Sequence, residues 1–381
     1  MKLYEHEAAD IFAHLGIPVP DRMTAVSPEE ARSAAEKIGC QVVVKAQVLA
    51  GGRGLAGGVK TASTPEEAQA AAESILGSRI RGLTVEKVLI SQKIEIAKEL
   101  YLGITVDGDK GQPIVVTSSE GGVSIEEIAK TSPSKIASRN VDINRGLLAF
   151  EARKLLGGAG FPARQIPAAA DVLVKLYQVF RRYNALIAEI NPLAVRPDGS
   201  VTAVDTKLEI DDSALYRMDN RLPGNIERTG NPLEKKGREI GVTYVELDGD
   251  IGLISSGAGL GMATMDIIGR KLRPANFLET GGGITEDLLY RIMELMMMKP
   301  GLRAIFINLY GGINPIHEGA KGIVRYIREH NLSIPIMAKA LGNRQEETWE
   351  ILRSGGVHVV TETATEKAVE KLFELVGSVK E

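Results

Sequence analysis

The pattern of apolar and polar positions changes along the chain and predicts two different kinds of sheet. Between about Lys87 and Leu208, short β-branched runs are separated by turn residues such as Asp107-Gly108-Asp109. This pattern predicts an antiparallel sheet, interrupted by one long helix from about Ala168 to Tyr183. The N-terminal part is therefore expected to be an α+β unit. Its predicted strands are 87–90, 100–104, 114–117, 186–195 and 201–208.

Two short helices near the N-terminus are predicted from the residues at their ends. Ser27-Pro28-Glu29-Glu30 and Thr64-Pro65-Glu66-Glu67 each supply a capping hydroxyl, a proline for the first helical position and a glutamate for a capping box. Gly39 and Gly77 follow where a helix end favours a residue that tolerates positive φ. A β-branched strand from Gln41 to Lys45 is expected between the two helices.

The C-terminal third has a different pattern, in which strand-like runs alternate with helical stretches. This alternation predicts parallel βαβ units and a doubly wound sheet of flavodoxin type, with ligands at the carboxyl ends of the strands. The preceding segment from Tyr216 to Arg238 is polar, contains Pro223 and Pro232 and shows no sustained period, so it is the expected linker. The expected parallel strands are 251–253, 275–278, 304–309, 334–337 and 358–360.

Length and composition exclude several classes of function. At 381 residues the chain exceeds the usual size of a single core, so two or three domains are expected. A net charge of −3 without a basic stripe argues against nucleic acid or an anionic membrane surface as partner. The sequence has neither a run of roughly 20 apolar residues nor the apolar core of a signal peptide, so a cytoplasmic protein is expected. The single cysteine, Cys40, cannot form an intramolecular disulfide and is expected to be buried.

The first candidate site follows the predicted strand that ends at Lys45. This residue is followed by Gly51-Gly52-Arg53-Gly54 and then by Gly57-Gly58. Glycines let backbone N–H groups approach phosphate oxygens, and Lys45 and Arg53 add positive charge. A glycine-rich loop can equally be a plain flexible connection, so the spacing alone leaves both interpretations open.

A second candidate site combines Glu189-Ile190-Asn191-Pro192, at the end of one predicted strand, with Asp205 in the next strand of a hairpin. The Asn191 carboxamide oxygen and the Asp205 carboxylate can converge there on one cation. Mg²⁺ suits them, because it takes one or two protein oxygens and completes its octahedron with water and nucleotide phosphates. The alternative is that Asn191 is a turn residue and Asp205 an exposed strand carboxylate.

A third candidate site lies in the C-terminal third, where Ser255-Ser256-Gly257-Ala258-Gly259-Leu260-Gly261 breaks a strand and opens a helix expected from Ala263 to Arg270. The start of such a helix presents unpaired N–H groups to an anion. Gly281-Gly282-Gly283 and Gly311-Gly312-Ile313-Asn314 follow the next two strands and would complete an anion-binding rim at one edge of the sheet. Tight βα turns with packing glycines are the alternative.

Nine short segments, in order along nearly the whole chain, are together more specific than any single motif. They are Leu3-Tyr4-Glu5-His6-Glu7-Ala8, Val44 to Gly54, Ala97 to Tyr101, Glu120-Gly121-Gly122-Val123, Ala188 to Leu193, Asp212-Ser213-Ala214-Leu215, Gly257-Ala258-Gly259-Leu260, Ala263-Thr264-Met265-Asp266 and Asn276-Phe277-Leu278-Glu279. In these segments the chain resembles succinyl-CoA synthetase β subunits.

The resemblance implies a fold and a reaction. It implies an ATP-grasp domain over residues 1–235, with a small inserted subdomain at about 20–100, and a flavodoxin-like CoA-ligase domain over 240–381. In that family a nucleoside triphosphate phosphorylates a histidine of a partner α subunit, the phosphoryl group passes to the acid, and CoA displaces it. The implied overall reaction converts succinate, CoA and ATP reversibly into succinyl-CoA, ADP and phosphate.

The resemblance also implies a role for each residue that matches a family motif. Glu189 would orient the phosphohistidine, and Asn191 and Asp205 would hold Mg²⁺. The residues expected to bind the nucleotide are Lys45, Gly52, Arg53, Gly54, Ser91, Ile94 and Glu99. Those expected to bind the acid or the phosphate are Ser256, Gly257, Ala258, Gly259, Gly312, Ile313 and Asn314.

The phosphorylated histidine and most of the CoA site are expected on the partner. The chain has five histidines, and none lies in a glycine-flanked loop like that of the family's phosphorylated residue. An αβ heterodimer or an (αβ)₂ assembly is therefore expected. A non-catalytic module that senses nucleotide or CoA, or a stand-alone ligase that releases an acyl phosphate, would be alternatives.

The chain departs from the family pattern where the acid would bind. Family members usually have asparagine at the position of Ser256, and Gly-Ile-Val or Gly-Ile-Thr followed by Arg-Cys-Asp where this chain has Gly312 to His317. Lys339 also stands where an arginine is common, and lysine does not replace arginine at a bidentate carboxylate site. The acid is thus succinate or, as alternatives, malate or citrate. ATP is expected over GTP only because ATP is commoner in the family.

Overall fold

The computed structural model describes residues 1–218, 228 and 230–378, which form two compact units, Met1–Pro223 and Gly224–Glu381. The helices of the first unit are α1 (Glu5–His14), α2 (Pro28–Ile38), α3 (Pro65–Ile75), α4 (Ile125–Thr131), α5 (Ala149–Gly158) and α6 (Ile166–Arg182). Its strands are β1 (Arg22–Ala25), β2 (Val42–Ala46), β3 (Val59–Ala62), β4 (Arg79–Ile80), β5 (Leu83–Thr84), β6 (Val88–Gln92), β7 (Lys98–Asp107), β8 (Gln112–Ser118), β9 (Ile136–Asn140), β10 (Ala185–Val195), β11 (Val201–Ala203) and β12 (Thr206–Ile210).

The smaller sheet of the first unit is antiparallel, in the order β1-β6-β2-β3, and helices α2 and α3 cover one of its faces. The caps predicted from sequence are confirmed. Ser27 Oγ accepts a hydrogen bond from Glu30 N, and Thr64 Oγ1 accepts one from Glu67 N, both at 3.2 Å. Gly39 ends α2 with φ at 70°. These local signals are enough to set where the two helices begin.

The larger sheet of the first unit is also antiparallel, in the order β11-β10-β7-β8-β9, with β12 pairing to β10. Its apolar face packs against α5 and α6, which bury Leu156, Leu173 and Leu176. The single strand expected over 201–208 is wrong in one respect: its regular pairing is interrupted at Val204-Asp205 and resumes at Thr206. This break places Asp205 outside the regular ladder. A separate two-stranded ribbon joins β4 and β5.

The second unit contains the doubly wound sheet predicted from sequence. Five parallel strands lie in the order β15-β14-β16-β17-β18, the flavodoxin order, and β13 adds an antiparallel edge. Its strands are β13 (Thr243–Glu246), β14 (Ile251–Ser255), β15 (Asn276–Glu279), β16 (Ala304–Gly311), β17 (Ile336–Gly342) and β18 (His358–Val360). Its helices are α7 (Pro232–Ile240), α8 (Ala258–Ile268), α9 (Glu286–Met297), α10 (Ile316–His330), α11 (Gln345–Ser354) and α12 (Thr365–Ser378).

Two expectations about irregular or buried positions are wrong. The linker expected from Tyr216 to Arg238 falls partly outside the described residues, but its last part is α7. That helix forms because Asn231 Oδ1 caps it, accepting from Leu233 N at 2.8 Å, with Pro232 at the first helical position. Cys40 is exposed, because it follows the glycine that ends α2. Among the described residues, no helix is long and apolar enough to cross a membrane.

Candidate functional site

A buried lysine stands at the end of β2, where the sequence predicted one. Lys45 is only 6% exposed. Its ammonium donates to Glu5 Oε1 at 2.8 Å and to the carbonyl oxygen of Val204 at 2.9 Å. A charge in such a place must be paired to be tolerated, and Glu5 supplies that pair from the first turn of α1.

Arg53, in the glycine-rich loop, binds the same glutamate as Lys45. One guanidinium nitrogen donates to Glu5 Oε2 at 2.7 Å and to the carbonyl oxygen of Ala46 at 3.1 Å. The other nitrogen donates to both carboxylate oxygens of Asp205, each at 3.0 Å. The structure thus brings Lys45 and Arg53 together with Glu5 and Asp205, which are far from them in sequence.

Glu5 is the residue at this site that the sequence interpretation missed. Burial raises the pKa of Glu5, but the Lys45 and Arg53 charges and hydrogen bonds outweigh it and lower that pKa to about 2. The carboxylate is therefore ionised at any physiological pH. The only sequence signal was its place in the Leu3-Tyr4-Glu5-His6 segment, which had no assigned role.

Asn191 and Asp205 are neighbours, as predicted. Asn191 N donates to the carbonyl oxygen of Asp205 at 3.0 Å. The Asn191 side chain is held by the loop after β8, because its Oδ1 accepts from Gly122 N at 2.8 Å and its Nδ2 donates to Val123 O at 2.9 Å. The Asp205 side chain stays 41% exposed. One amide oxygen and one partly exposed carboxylate are therefore carried by two residues whose backbones are hydrogen-bonded to each other.

These two side chains fit Mg²⁺ rather than a metal that needs a full protein cage. Among the described residues there is no group of three or more His, Cys, Asp or Glu side chains that could hold a metal. Mg²⁺ requires only one or two protein oxygens when phosphates and waters supply the others. The Asn191 oxygen has a second lone pair free for a cation. The Asp205 carboxylate is shared with Arg53, so a metal would have to displace that contact.

The face of the larger sheet turned away from α5 and α6 carries the other predicted residues. On this face Glu189 of β10 lies opposite Gly103 of β7. Burial raises the pKa of Glu189, the Lys207 ammonium 3.8 Å away opposes the rise, and the Asp205 carboxylate adds to it. Glu189 is thus a largely buried carboxylate close to Asn191 and Asp205. It is suited to orient a cationic or hydrogen-bonding partner.

Glu99 joins this group through a glycine. Gly122 has φ at 79°, and a Cβ at that position would overlap the Glu99 carboxylate. The positive φ favours glycine at this position, and the absence of a Cβ leaves room for the Glu99 carboxylate. Because Gly122 also donates to Asn191, the loop connects the predicted nucleotide residue Glu99 with the predicted metal ligand.

Ser91 and Ile94 lie on or beside the smaller sheet. Ser91 is paired with Val43, and Lys45 with Leu89, so Ser91 and Lys45 share one face. That face is opposite the one on which Val42 and Val44 pack against α2 and α3. Ser91 is therefore placed on the same side as the cationic cluster. Ile94 is buried just after β6, and the structure shows no contact that joins it to that cluster.

The glycine-rich loop leaves its backbone open. A side chain at Gly51 or Gly54 would meet nothing within 4 Å, and Gly52 has φ at 73°. The loop closes on itself through a hydrogen bond from Gly58 N to the carbonyl oxygen of Arg53 at 2.9 Å. Open backbone N–H groups beside Lys45 and Arg53 make a suitable place for phosphate oxygens.

In the second unit the helix predicted to bind an anion at its start is present, but it starts earlier than expected. Helix α8 begins at Ala258, not Ala263, with Gly257 as a cap that offers no side-chain hydrogen bond. The helix includes Gly261, where a Cβ would lie 2.9 Å from the Phe277 ring, so close packing on β15 favours glycine there. The first N–H groups of α8 therefore start at the Gly257-Ala258-Gly259 segment itself.

The rim around this helix start is held together by short polar contacts at the carboxyl edge of the sheet. Ser256 Oγ accepts from Tyr310 N at 2.8 Å, which ties the loop after β14 to the end of β16. Asn314 Oδ1 accepts from Gly283 N at 3.2 Å. Ile313 is 96% exposed, next to Gly312. The predicted acid- and phosphate-binding residues thus lie along one edge.

Comparisons with known proteins identify the family of the chain. A family model described as an ATP-grasp domain matches residues 2–195, and one described as a CoA-ligase matches residues 254–373. The chain is 44% identical to the ADP-forming succinate–CoA ligase subunit beta of Roseiflexus sp. (strain RS-1), over 97% of this chain and 99% of that one. The chain belongs to the succinate–CoA ligase β-subunit family. The resemblance inferred from the nine segments is thereby confirmed.

Other members of the family differ in the nucleotide named. The GDP-forming succinate–CoA ligase subunit beta of Thermus thermophilus is 42% identical, over 94% of this chain and 95% of that one. Among solved structures, ATP citrate lyase from Methanothrix soehngenii in complex with citrate and coenzyme A aligns with a TM-score of 0.76 at 19% identity, covering 98% of this chain and 99% of that one. This likeness confirms the fold, with an ATP-grasp domain followed by a flavodoxin-like domain.

Proposed function

We infer that this chain is the β subunit of an ADP-forming acid–CoA ligase, and that it passes a phosphoryl group from a nucleotide to a histidine on a partner α subunit. The observation that carries the proposal is the cluster in which Lys45 and Arg53 converge with Asp205 and Asn191. Phosphoryl transfer depends mainly on positioning and charge neutralisation, and this cluster offers both.

Each side chain has a distinct task in this proposal. Lys45 and Arg53 bind phosphate oxygens, and the open glycine-rich loop covers them. Asn191 and Asp205 hold Mg²⁺, which supplies neutralisation of the phosphate charge. Glu189, half-desolvated by its surroundings, accepts a hydrogen bond from the imidazole of the incoming partner histidine and orients it. Glu99 and Ser91 are proposed to contact the nucleoside.

The helix start in the second unit is proposed as the place where the partner's phosphohistidine rests. The first N–H groups of α8 have no intrahelical partner, and the helix dipole places partial positive charge there. Ser256 and Asn314 at the same edge are proposed to contact the acid, next to Gly312. CoA is proposed to bind mainly to the α subunit, in an αβ or (αβ)₂ assembly.

Succinate is the proposed acid, because the family members compared above are named for it. Malate or citrate is the second candidate, favoured by the short polar side chains of Ser256 and Asn314. A site that hydrogen-bonds a substrate hydroxyl can reject the analogue without it by roughly 10⁴-fold, because its buried polar groups stay unpaired. The proposed nucleotide is ATP, and the cytoplasmic location stays a prediction of the sequence.

One experiment tests the proposed reaction. The chain is purified alone and after co-expression with the α subunit encoded by the same organism, and both samples are given Mg·ATP, CoA and succinate, malate or citrate. We expect the chain alone to bind Mg·ATP without forming acyl-CoA, and the complex to form it. Acyl-CoA synthesis by the chain alone would contradict the partner relay, and a complex inactive with all three acids would contradict the ligase assignment.

A further inference from the structure

The contact between Arg53 and Asp205 is unusual for a metal ligand. Arg53 places one guanidinium nitrogen 3.0 Å from each oxygen of the carboxylate that is proposed to bind Mg²⁺. Such a contact places a positive charge against both carboxylate oxygens, so a cation that binds Asp205 meets charge repulsion from Arg53. The charge that a metal would supply at Asp205 is already present as a guanidinium.

The other guanidinium nitrogen of Arg53 is bound to a buried glutamate. This nitrogen donates to Glu5 Oε2 at 2.7 Å, and the Glu5 side chain is only 4% exposed. Glu5 is also saturated by Lys45 at 2.8 Å. Arg53 therefore bridges two carboxylates. One is the buried carboxylate of Glu5, and the other is that of Asp205, whose side chain is 41% exposed.

We propose that Arg53 occupies the place of the divalent cation at Asp205 in the nucleotide-free chain, with Glu5 as the positioning residue that holds it there. The inference rests on the proposed function and deepens it. When phosphates arrive, their oxygens accept hydrogen bonds from the guanidinium nitrogen that otherwise donates to Asp205. Asp205 is then released to Mg²⁺, and the nucleotide and the metal enter as one unit.

The glycine-rich loop gives Arg53 the freedom that this exchange requires. Gly51 and Gly54 flank the arginine with open space around them, and Gly52 takes a φ of 73° that side chains disfavour. The loop can therefore adjust without losing packed side chains. Glu5, on α1, stays in place and keeps Lys45 directed at the phosphates throughout the exchange.

A consequence of this arrangement is coupling between the two ligands. Mg²⁺ alone has to displace the Arg53 guanidinium from Asp205, so it binds weakly. A bound nucleotide removes this competing cation first, because its phosphates bind the guanidinium. The two ligands should thus raise each other's affinity, as thermodynamic linkage requires. A purely structural ion pair would show no such dependence.

Lys45 provides a matched control for the charge of Arg53. Both residues are cations bound to Glu5 with nearly equal hydrogen-bond lengths, but only Arg53 contacts the Asp205 carboxylate. Arg53→Met and Lys45→Met therefore remove the same charge from the same glutamate. Only the first variant removes the competitor for the metal.

The test is a titration of the full, nucleotide-free chain with Mn²⁺ alone. Electron paramagnetic resonance measures the concentration of free Mn²⁺ at each step. We expect Arg53→Met to bind Mn²⁺ about tenfold more tightly than the wild-type chain, as for loss of one repelling charge at a partly exposed site. Lys45→Met should change the affinity by less than about threefold. The gain should vanish in the double variant Arg53→Met with Asp205→Asn. Equal effects of the two single variants, or a gain that survives Asp205→Asn, would overturn the proposal.

A second measurement covers the case in which Arg53→Met does not fold, judged by circular dichroism. Arg53→Lys keeps the charge but has one nitrogen in place of the two that bridge Glu5 and Asp205, so its Mn²⁺ affinity should lie between those of wild type and Arg53→Met. In the wild-type chain, ADP should tighten Mn²⁺ binding more than it does in Arg53→Lys. Equal tightening in both would overturn the proposal. These readouts need no turnover, so an inactive αβ complex would refute the proposed function without affecting them.

Discussion

Replacing Glu5 with glutamine would test the energetic role of the buried charge cluster. The change keeps the size of the side chain and removes one negative charge from between Lys45 and Arg53. Both cations would then stand next to a neutral amide, and Lys45 is only 6% exposed. Breaking a buried pair by removing one partner is costly, because the remaining charge is left without compensation.

The size of the effect follows from the electrostatics of Glu5. The two cations lower its pKa from 4.5 to about 2 against the opposing effect of burial. This difference corresponds to about 3 kcal/mol of stabilisation of the folded state. The glutamine oxygen can still accept one hydrogen bond, so we expect Glu5→Gln to lower the free energy of unfolding by about 2–4 kcal/mol at pH 7.

The lowered pKa of Glu5 also sets how the stability depends on pH. Because the folded-state pKa of Glu5 lies below the unfolded value of 4.5, its stabilisation is complete above that value and is lost as the pH falls towards 2. Glutamine does not titrate. The difference in stability between wild type and variant should therefore be constant near neutrality and shrink between about pH 4.5 and 2.

Urea unfolding followed by far-ultraviolet circular dichroism measures this effect. Trp349 is the only tryptophan and belongs to the second unit, so its fluorescence reports separately on that unit. Glu36→Gln is the control, because Glu36 forms an exposed pair with Arg32 and its loss should cost less than about 0.5 kcal/mol. A loss below about 1 kcal/mol for Glu5→Gln, or a difference that does not change in acid, would show that the cluster is not a coupled charge network.

Two further predictions concern close packing and buried hydrogen bonding in the second unit, and Trp349 fluorescence during urea unfolding checks both. Gly322→Ala should cost about 1–3 kcal/mol, because a Cβ there would overlap the carbonyl oxygen of Glu286, whereas Gly377→Ala, with nothing within 4 Å, should be neutral or slightly stabilising. Equal effects of the two alanines would contradict the packing argument. Asn276→Ala should cost about 2–4 kcal/mol, since the fully buried amide accepts from Leu253 N at 3.0 Å and donates to Leu253 O at 2.9 Å. A change below about 1 kcal/mol would show that the Leu253 groups find other partners.

The sequence alone determined those features that depend on neighbouring residues. Ser27 and Thr64 began the helices they were predicted to begin, because a cap involves residues only three apart. The alternation of strands and helices after residue 240 predicted the parallel sheet for the same reason. The Lys45 and glycine-rich segment was found because all its members lie within one short stretch.

Contacts between distant segments were decided only by the tertiary structure. Glu5 pairs with Arg53, 48 residues away, and Arg53 with Asp205, 152 residues away, so no local pattern could indicate either pair. The start of α8 was placed too late because Gly261 looks like a helix breaker until Phe277 is seen to pack against it. The sequence names the residue types that a charge cluster needs, but which of them become buried together depends on how the strands and helices that carry them pack.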